Sequence, residues 1–184
     1  VYRGLARSQR RVVVNARGVR HRGHKFRLAP LAKHLDYLKR EGVTKDGRDA
    51  AMFDKGRDQV DDRAFAAETE DDRHHFRFIV SPEDAAQLND LRAFTRDLMA
   101  QAARDLGTEL DWVAVDHWNT DNPHVHVLVR GKADDGKDLV ISRDYISRVI
   151  ASNRHGEILA VEAATTIATV CARDNNRRDI ASMI

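Results

Sequence analysis

Cysteine is all but missing from this sequence. The 184 residues hold one, Cys171, so an internal disulfide framework is excluded and a reducing cytoplasm is the natural compartment. Proline and tyrosine are scarce at three residues each. No apolar run approaches the roughly 18 residues of a membrane span, which argues against membrane insertion. Nothing at the N-terminus reads as a signal peptide. With 42% hydrophobic and 33% charged residues, the chain is too apolar for a disordered tail. Its length suits one domain that buries its own core.

Net charge is also small, at +2, but it conceals a division. Residues 1–48 carry 14 Lys and Arg against 3 acids, a net of +11, which leaves −9 for the remainder. Such asymmetry points to a polyanion-binding arm and is equally consistent with a solvated basic extension.

Patterning gives an order of elements. Arg-rich coil includes a short strand at 11–14, and Leu31, His34/Leu35 and Leu38 recur at helical spacing up to Gly42. Residues 43–72 are polar, either a long loop or a loop holding a short helix near Asp61–Ala67. Phe76–Val80 alternates as a strand. Ser81-Pro82-Glu83-Asp84 reads as a helix start, with the helix running to about Leu106 before Gly107. Strands follow at Leu110–Asp116 and His124–Arg130, then a turn through Asp134-Asp135-Gly136 toward a strand at Leu139–Ile141, and a helix from Asp144. This order predicts an α+β fold with a largely antiparallel sheet.

Chemistry concentrates in one segment. His124 and His126 flank Val125 on a strand, so both imidazoles share a face. His117 can fold back beside them across the Asn119–Pro123 turn, and Asp116 and Asp121 are near enough in sequence to orient imidazole N–H groups. Three neutral histidines with open positions would make a Lewis-acid site for a divalent metal. Zinc-type His/Cys spacing is not matched, because Cys171 is distant. Of the tyrosines, Tyr2 is terminal and Tyr145 reads as a packing residue. Tyr37 lies in His34-Leu-Asp-Tyr37-Leu-Lys-Arg40, where Lys39 and Arg40 could favour phenolate and hold phosphate; an ordinary amphipathic-helix tyrosine is the plainer alternative.

The segment Asp116-His-Trp-Asn-Thr-Asp-Asn-Pro-His-Val-His-Val-Leu-Val-Arg-Gly131 resembles the three-histidine motif of relaxases, the mobilization nucleases of the HUH endonuclease superfamily. Asp72–Asp84 and His34–Arg40 resemble the same family, nearest to VirD-type relaxases, and the likeness is collinear from about Val12 to Ser147. The resemblance implies a five-stranded antiparallel palm with flanking helices. It implies a bacterial cytoplasmic enzyme that nicks one strand of a plasmid transfer origin through a 5′-phosphotyrosine, with accessory relaxosome proteins and a coupling protein as partners. Carried over by residue, Tyr37 is the nucleophile, His117, His124 and His126 hold Mg²⁺ or Mn²⁺, and Asp116 orients a histidine or helps deprotonate Tyr37. Arg11, Arg17, Arg20, Arg22 and Lys25, with Lys39, Arg40 and Arg77, would meet DNA phosphates.

The expected division is therefore a basic DNA-contacting segment at 1–28, a catalytic domain at 29–147 and an atypical, truncated or divergent segment at 148–184. An inactive remnant that only binds DNA is the alternative, and a metal site with unrelated hydrolase activity is a weaker third.

Overall fold

A computed structural model describes residues 12–21, 28–41, 44–88 and 90–146. The chain runs through β1 (Val12–Arg20), α1 (Leu28–Glu41), α2 (Asp62–Glu68), β2 (His74–Pro82), α3 (Leu91–Leu106), β3 (Trp112–His117) and β4 (His124–Arg130). A single helical turn follows at Arg143–Tyr145. Among the described residues the strands form one four-stranded sheet in the order β1-β2-β4-β3, antiparallel throughout. The protein is α+β, with helices on both faces of an open sheet.

The two-residue period of the strands divides the interior in two. Val12, Phe78, Val80, Trp112, Ala114, Val125, Val127 and Val129 point to one face and pack with Leu91, Leu98, Met99 and Ala102 of α3. Val113, Val115 and Leu128 point to the other and meet Leu31, Leu35 and Leu38 of α1 and Phe65 and Ala66 of α2. Strands β3 and β4 are buried on both faces. On the α1 side, β1 and β2 leave Val13 at 68% and Ile79 at 38% exposure.

Several expectations are corrected. The strand expected at 11–14 runs from Val12 to Arg20 and pairs along its length with β2, so the middle of the basic segment is built into the sheet. No helix starts at Ser81. Pro82 is the last residue of β2, where the register pairs it with Val12, and a single 3-10 turn follows at Ala85–Gln87. Helix α3 begins instead behind Asp90, whose carboxylate accepts the Arg92 and Ala93 N–H groups at 2.8 and 2.9 Å. Acids after a proline imitate an N-cap in sequence, but here the strand ladder takes the proline. Gly107 ends α3 in the left-handed region, as its position suggests. Leu139–Ile141 forms no strand. The turn after β4 closes through an isolated Lys132–Asp138 bridge, with the Leu139 N–H on the Gly131 carbonyl and the Ala133 N–H on the Lys137 carbonyl, so the described sheet has four strands rather than five. The short helix near 61–67 is α2, capped by Asp61.

Gly131 packs closely against β2. A Cβ there would come within 2.0 Å of the His74 carbonyl oxygen, a backbone atom that cannot rotate away. Gly131→Ala is therefore expected to destabilise the fold by about 1–3 kcal/mol, read as a lower urea midpoint with an unchanged slope.

Candidate metal centre

Antiparallel pairing places His117, the last residue of β3, opposite His124, the first of β4, and Val115 opposite His126. The three imidazoles share the α1 face. Each offers one ring nitrogen such that the three atoms lie within 4.8 Å of one another. Ring centroids are 4.7 to 5.3 Å apart.

Hydrogen bonds settle which nitrogen does what. His124 Nδ1 donates to the Asn122 carbonyl at 2.9 Å, which leaves its Nε2 as a lone-pair donor. That atom lies 3.2 Å from His126 Nε2, so the two rings approach through nitrogens between which a proton can sit and where a bound cation would take its place. His117 Nε2 donates to the Leu38 carbonyl at 3.0 Å, and its Nδ1 carries the lone pair. Leu38 is in the last turn of α1, where helix carbonyls have no intrahelical partner, so His117 caps that helix end. The negative end of the helix dipole is thereby turned to the site and favours a cation there. Burial, then His117 and His124, push His126 down to about 3, which keeps it neutral as a ligand must be. Three neutral nitrogens beside a helix C-terminus fit a divalent metal; the donor set does not specify which one.

Tyr37 immediately precedes the carbonyl that His117 holds, and it is half exposed. Lys39 does not attend the phenol as expected. Its ammonium bonds Asp62 at 2.8 Å and Asp36 at 3.5 Å, and these carboxylates raise its affinity for the proton against the opposing effect of burial. Arg40 is exposed on the same helix.

Asp116 is the clearest correction. It neighbours His117 in sequence, but strand alternation turns it to the opposite face of the sheet. There it is 4% exposed, bonded to Arg92 at 2.9 and 3.0 Å and to the Trp118 indole N–H at 2.8 Å. It can neither orient the histidines nor take a proton from Tyr37. Asp121 lies exposed in the 119–122 turn. Tyr145 is buried with its hydroxyl on Asp105 at 2.9 Å, a packing role that burial and that carboxylate enforce by holding the phenol protonated.

Of the basic residues, Arg17 and Arg77 are partners across β1 and β2 on the α1 face, with Arg17 exposed and Arg77 half-buried. Arg20 is exposed at the end of β1. Arg11, Arg22 and Lys25 lie outside the described residues, as does 147–184 with Cys171. Sequence reasoning passed over His34. It sits on α1 one turn before Tyr37, held down to about 4 by burial and by Arg77. Its helical spacing was visible, but its apolar neighbours Leu31 and Leu35 hid it. No helix of the described residues is long and apolar enough to cross a membrane.

His126→Ala and His124→Ala are each expected to weaken Mn²⁺ binding by roughly tenfold or more, measured by calorimetric titration. A pH dependence follows as well. His34, His75 and His126 are held at about 4, 3 and 3 against an ordinary value of 6.5. The unfolded chain therefore binds protons that the folded chain refuses, and stability must fall as pH drops from about 6.5 toward 4. Urea midpoints at pH 7.5, 6.0 and 4.5 should decline in that order; a flat series would contradict the buried neutral histidines. The chain was compared with protein-family models, with curated proteins and with solved structures, and nothing matches it in any of the three.

Proposed function

We propose that this chain is a relaxase-type DNA strand transferase, which nicks one strand of a transfer origin and holds it as a 5′-phosphotyrosine. One observation carries the reading. Three imidazoles converge on a single sheet face, and one of them is hydrogen-bonded to the helix turn that bears the exposed Tyr37.

In the proposed reaction the Tyr37 oxygen attacks the scissile phosphorus. The new tyrosyl ester forms as the bond to the 3′ oxygen breaks, and that oxygen leaves as a free 3′-OH. Tyr37 is solvent-accessible, so its proton passes to water, in keeping with the removal of Asp116 from the role of base. His117, His124 and His126 would hold Mg²⁺ or Mn²⁺, which when bound supplies positive charge against the non-bridging oxygens. The bond from His117 to Leu38 keeps the helix turn and the imidazoles in one arrangement, so the nucleophile's backbone needs no reorganisation to meet a phosphate held there. Because one ester replaces another of similar energy, the reverse attack reseals the strand. Conjugative transfer with relaxosome and coupling partners is the setting this chemistry serves.

The test is a denaturing gel with Mn²⁺ and labelled single-stranded oligonucleotides covering candidate origins. A covalent adduct is expected from the wild-type chain, none from Tyr37→Phe, and a normal amount from Tyr2→Phe. Oligonucleotide binding with no adduct under any divalent metal would refute the transferase and leave a DNA-binding remnant. Metal-dependent hydrolysis that survives Tyr37→Phe would refute it in favour of an unrelated hydrolase.

A further inference from the structure

The second histidine cluster has no part in the chemistry above, yet it is more completely wired than the first. His21 follows β1, and His75 sits near the start of β2 with 2% of its surface exposed. His21 Nδ1 donates to the Asp72 carbonyl at 2.8 Å, so His21 Nε2 is an acceptor. His75 Nδ1 donates to that atom at 2.7 Å, which makes His75 Nε2 an acceptor in turn. Arg77 Nε donates to His75 Nε2 at 2.9 Å. Each bond fixes the tautomer of the next ring, and the series has one consistent solution: both imidazoles are neutral. It ends on firm ground, since the Asp72 carboxylate is buried and takes two bonds from Arg130 at 3.0 and 3.1 Å.

The nature of the acceptor matters. A carboxylate would orient the guanidinium and cancel its charge; a neutral imidazole orients it and leaves the charge intact. With Nε committed, the two Nη groups form a fork that takes no bond from an acceptor among the described residues. Opposite it in the register stands Arg17, and no carboxylate among the described residues pairs with either. Like charges directly opposite on neighbouring strands are destabilising, and burial makes this pair costlier. Burial first, then Arg17, lowers the Arg77 proton affinity, although a guanidinium stays charged. Two cations in register on neighbouring strands, with no carboxylate partner among the described residues, ask for an anion.

Position identifies that anion. Arg77 is two residues from Ile79 on β2, and Ile79 is the register partner of His126. The step along the strand is about 6.6–6.8 Å, comparable to the spacing of neighbouring phosphates on an extended nucleic-acid strand. Exposed Ile79 lies level with His126, and exposed Val13, paired with Ser81 two residues farther along, extends the apolar surface of that face beside the triad.

We propose that Arg17 and Arg77 clamp a backbone phosphate next to the one held at the histidine triad, with His75 and His21 as positioning residues that aim the Arg77 fork. The clamp rests on the single-strand substrate of the proposed function and adds the register in which that strand lies, along β2 from the triad toward His75.

The test is binding of a fluorescein-labelled oligothymidylate to the full chain in EDTA, over a salt series, with thermal melts as fold controls. Arg17→Gln and Arg77→Gln should each weaken binding roughly tenfold and flatten the slope of log affinity against log salt, the pair of changes together by about 0.7 for one phosphate lost. His75→Leu should weaken binding several-fold with the slope kept, because the charges remain, and His75→Gln, which can both accept and donate, should restore it. Wild-type affinity and slope in the Arg17→Gln, Arg77→Gln double variant would overturn the clamp, as would failure of the wild-type chain to bind. If His75→Leu does not fold, Arg17→Gln on the exposed edge strand still decides. Adduct formation scored on the same samples separates the two ideas. Adduct with Arg-independent binding keeps the transferase and removes the clamp, whereas Arg-dependent binding without adduct does the reverse.

Discussion

The hydrogen bond from His117 Nε2 to the Leu38 carbonyl joins three things that are separate in sequence. It satisfies a helix-end carbonyl, it fixes the proton on one nitrogen of a ring buried to 5% exposure, and it binds α1 to the end of β3. Around it Leu31, Leu35 and Leu38 seal the helix onto Val113, Val115 and Leu128, so the bond lies at the margin of a dry core where water competes poorly for either partner. Without it, the exposed Tyr37 on the helix and the three imidazoles on the sheet would be positioned independently.

Much of this arrangement was legible in the residues, and the reasons are local. The two-residue period makes His124 and His126 face together whatever the rest of the chain does. The same period should have warned against Asp116, since adjacent strand residues cannot serve one face; its nearness to His117 in sequence was the misleading signal. Ser81-Pro82-Glu83-Asp84 misled for a different reason. Local propensity favours a helix start there, but pairing of Pro82 with Val12, seventy residues away in sequence, outweighs it. The His21–His75–Arg77 series was out of reach, because it depends on β1 and β2 being neighbours and on Asp72 being buried by Arg130.

Electrostatics on the α1 face follow one rule: its histidines are kept neutral and its arginines are kept charged. His34, His75 and His126 all lie within the influence of Arg77, of Arg17 beyond it, or of one another, and protonating any of them would add charge to a face already short of anions. The nearby acids are already engaged: Asp116 with Arg92 behind the sheet, Asp62 with Lys39, and Asp72 with Arg130. Such a face matches the phosphate clamp proposed at Arg17 and Arg77 and leaves imidazole lone pairs at the triad.

The close approach of Gly131 to the His74 carbonyl has a bearing far from where it occurs. Gly131 follows directly on β4, so its missing side chain lets the end of that strand seat against the start of β2. A two-residue slip between these strands would keep every side chain on its proper face and would escape the penalty that hydrophobic patterning imposes on odd slips. Such a slip would instead bring Val129 or Ala133, each carrying a Cβ, toward that carbonyl. Gly131 thus acts as a keyway that admits one alignment. The offset between the guanidinium on β2 and the imidazoles on β4 is set at the opposite end of the sheet, by a residue that contributes no chemistry of its own.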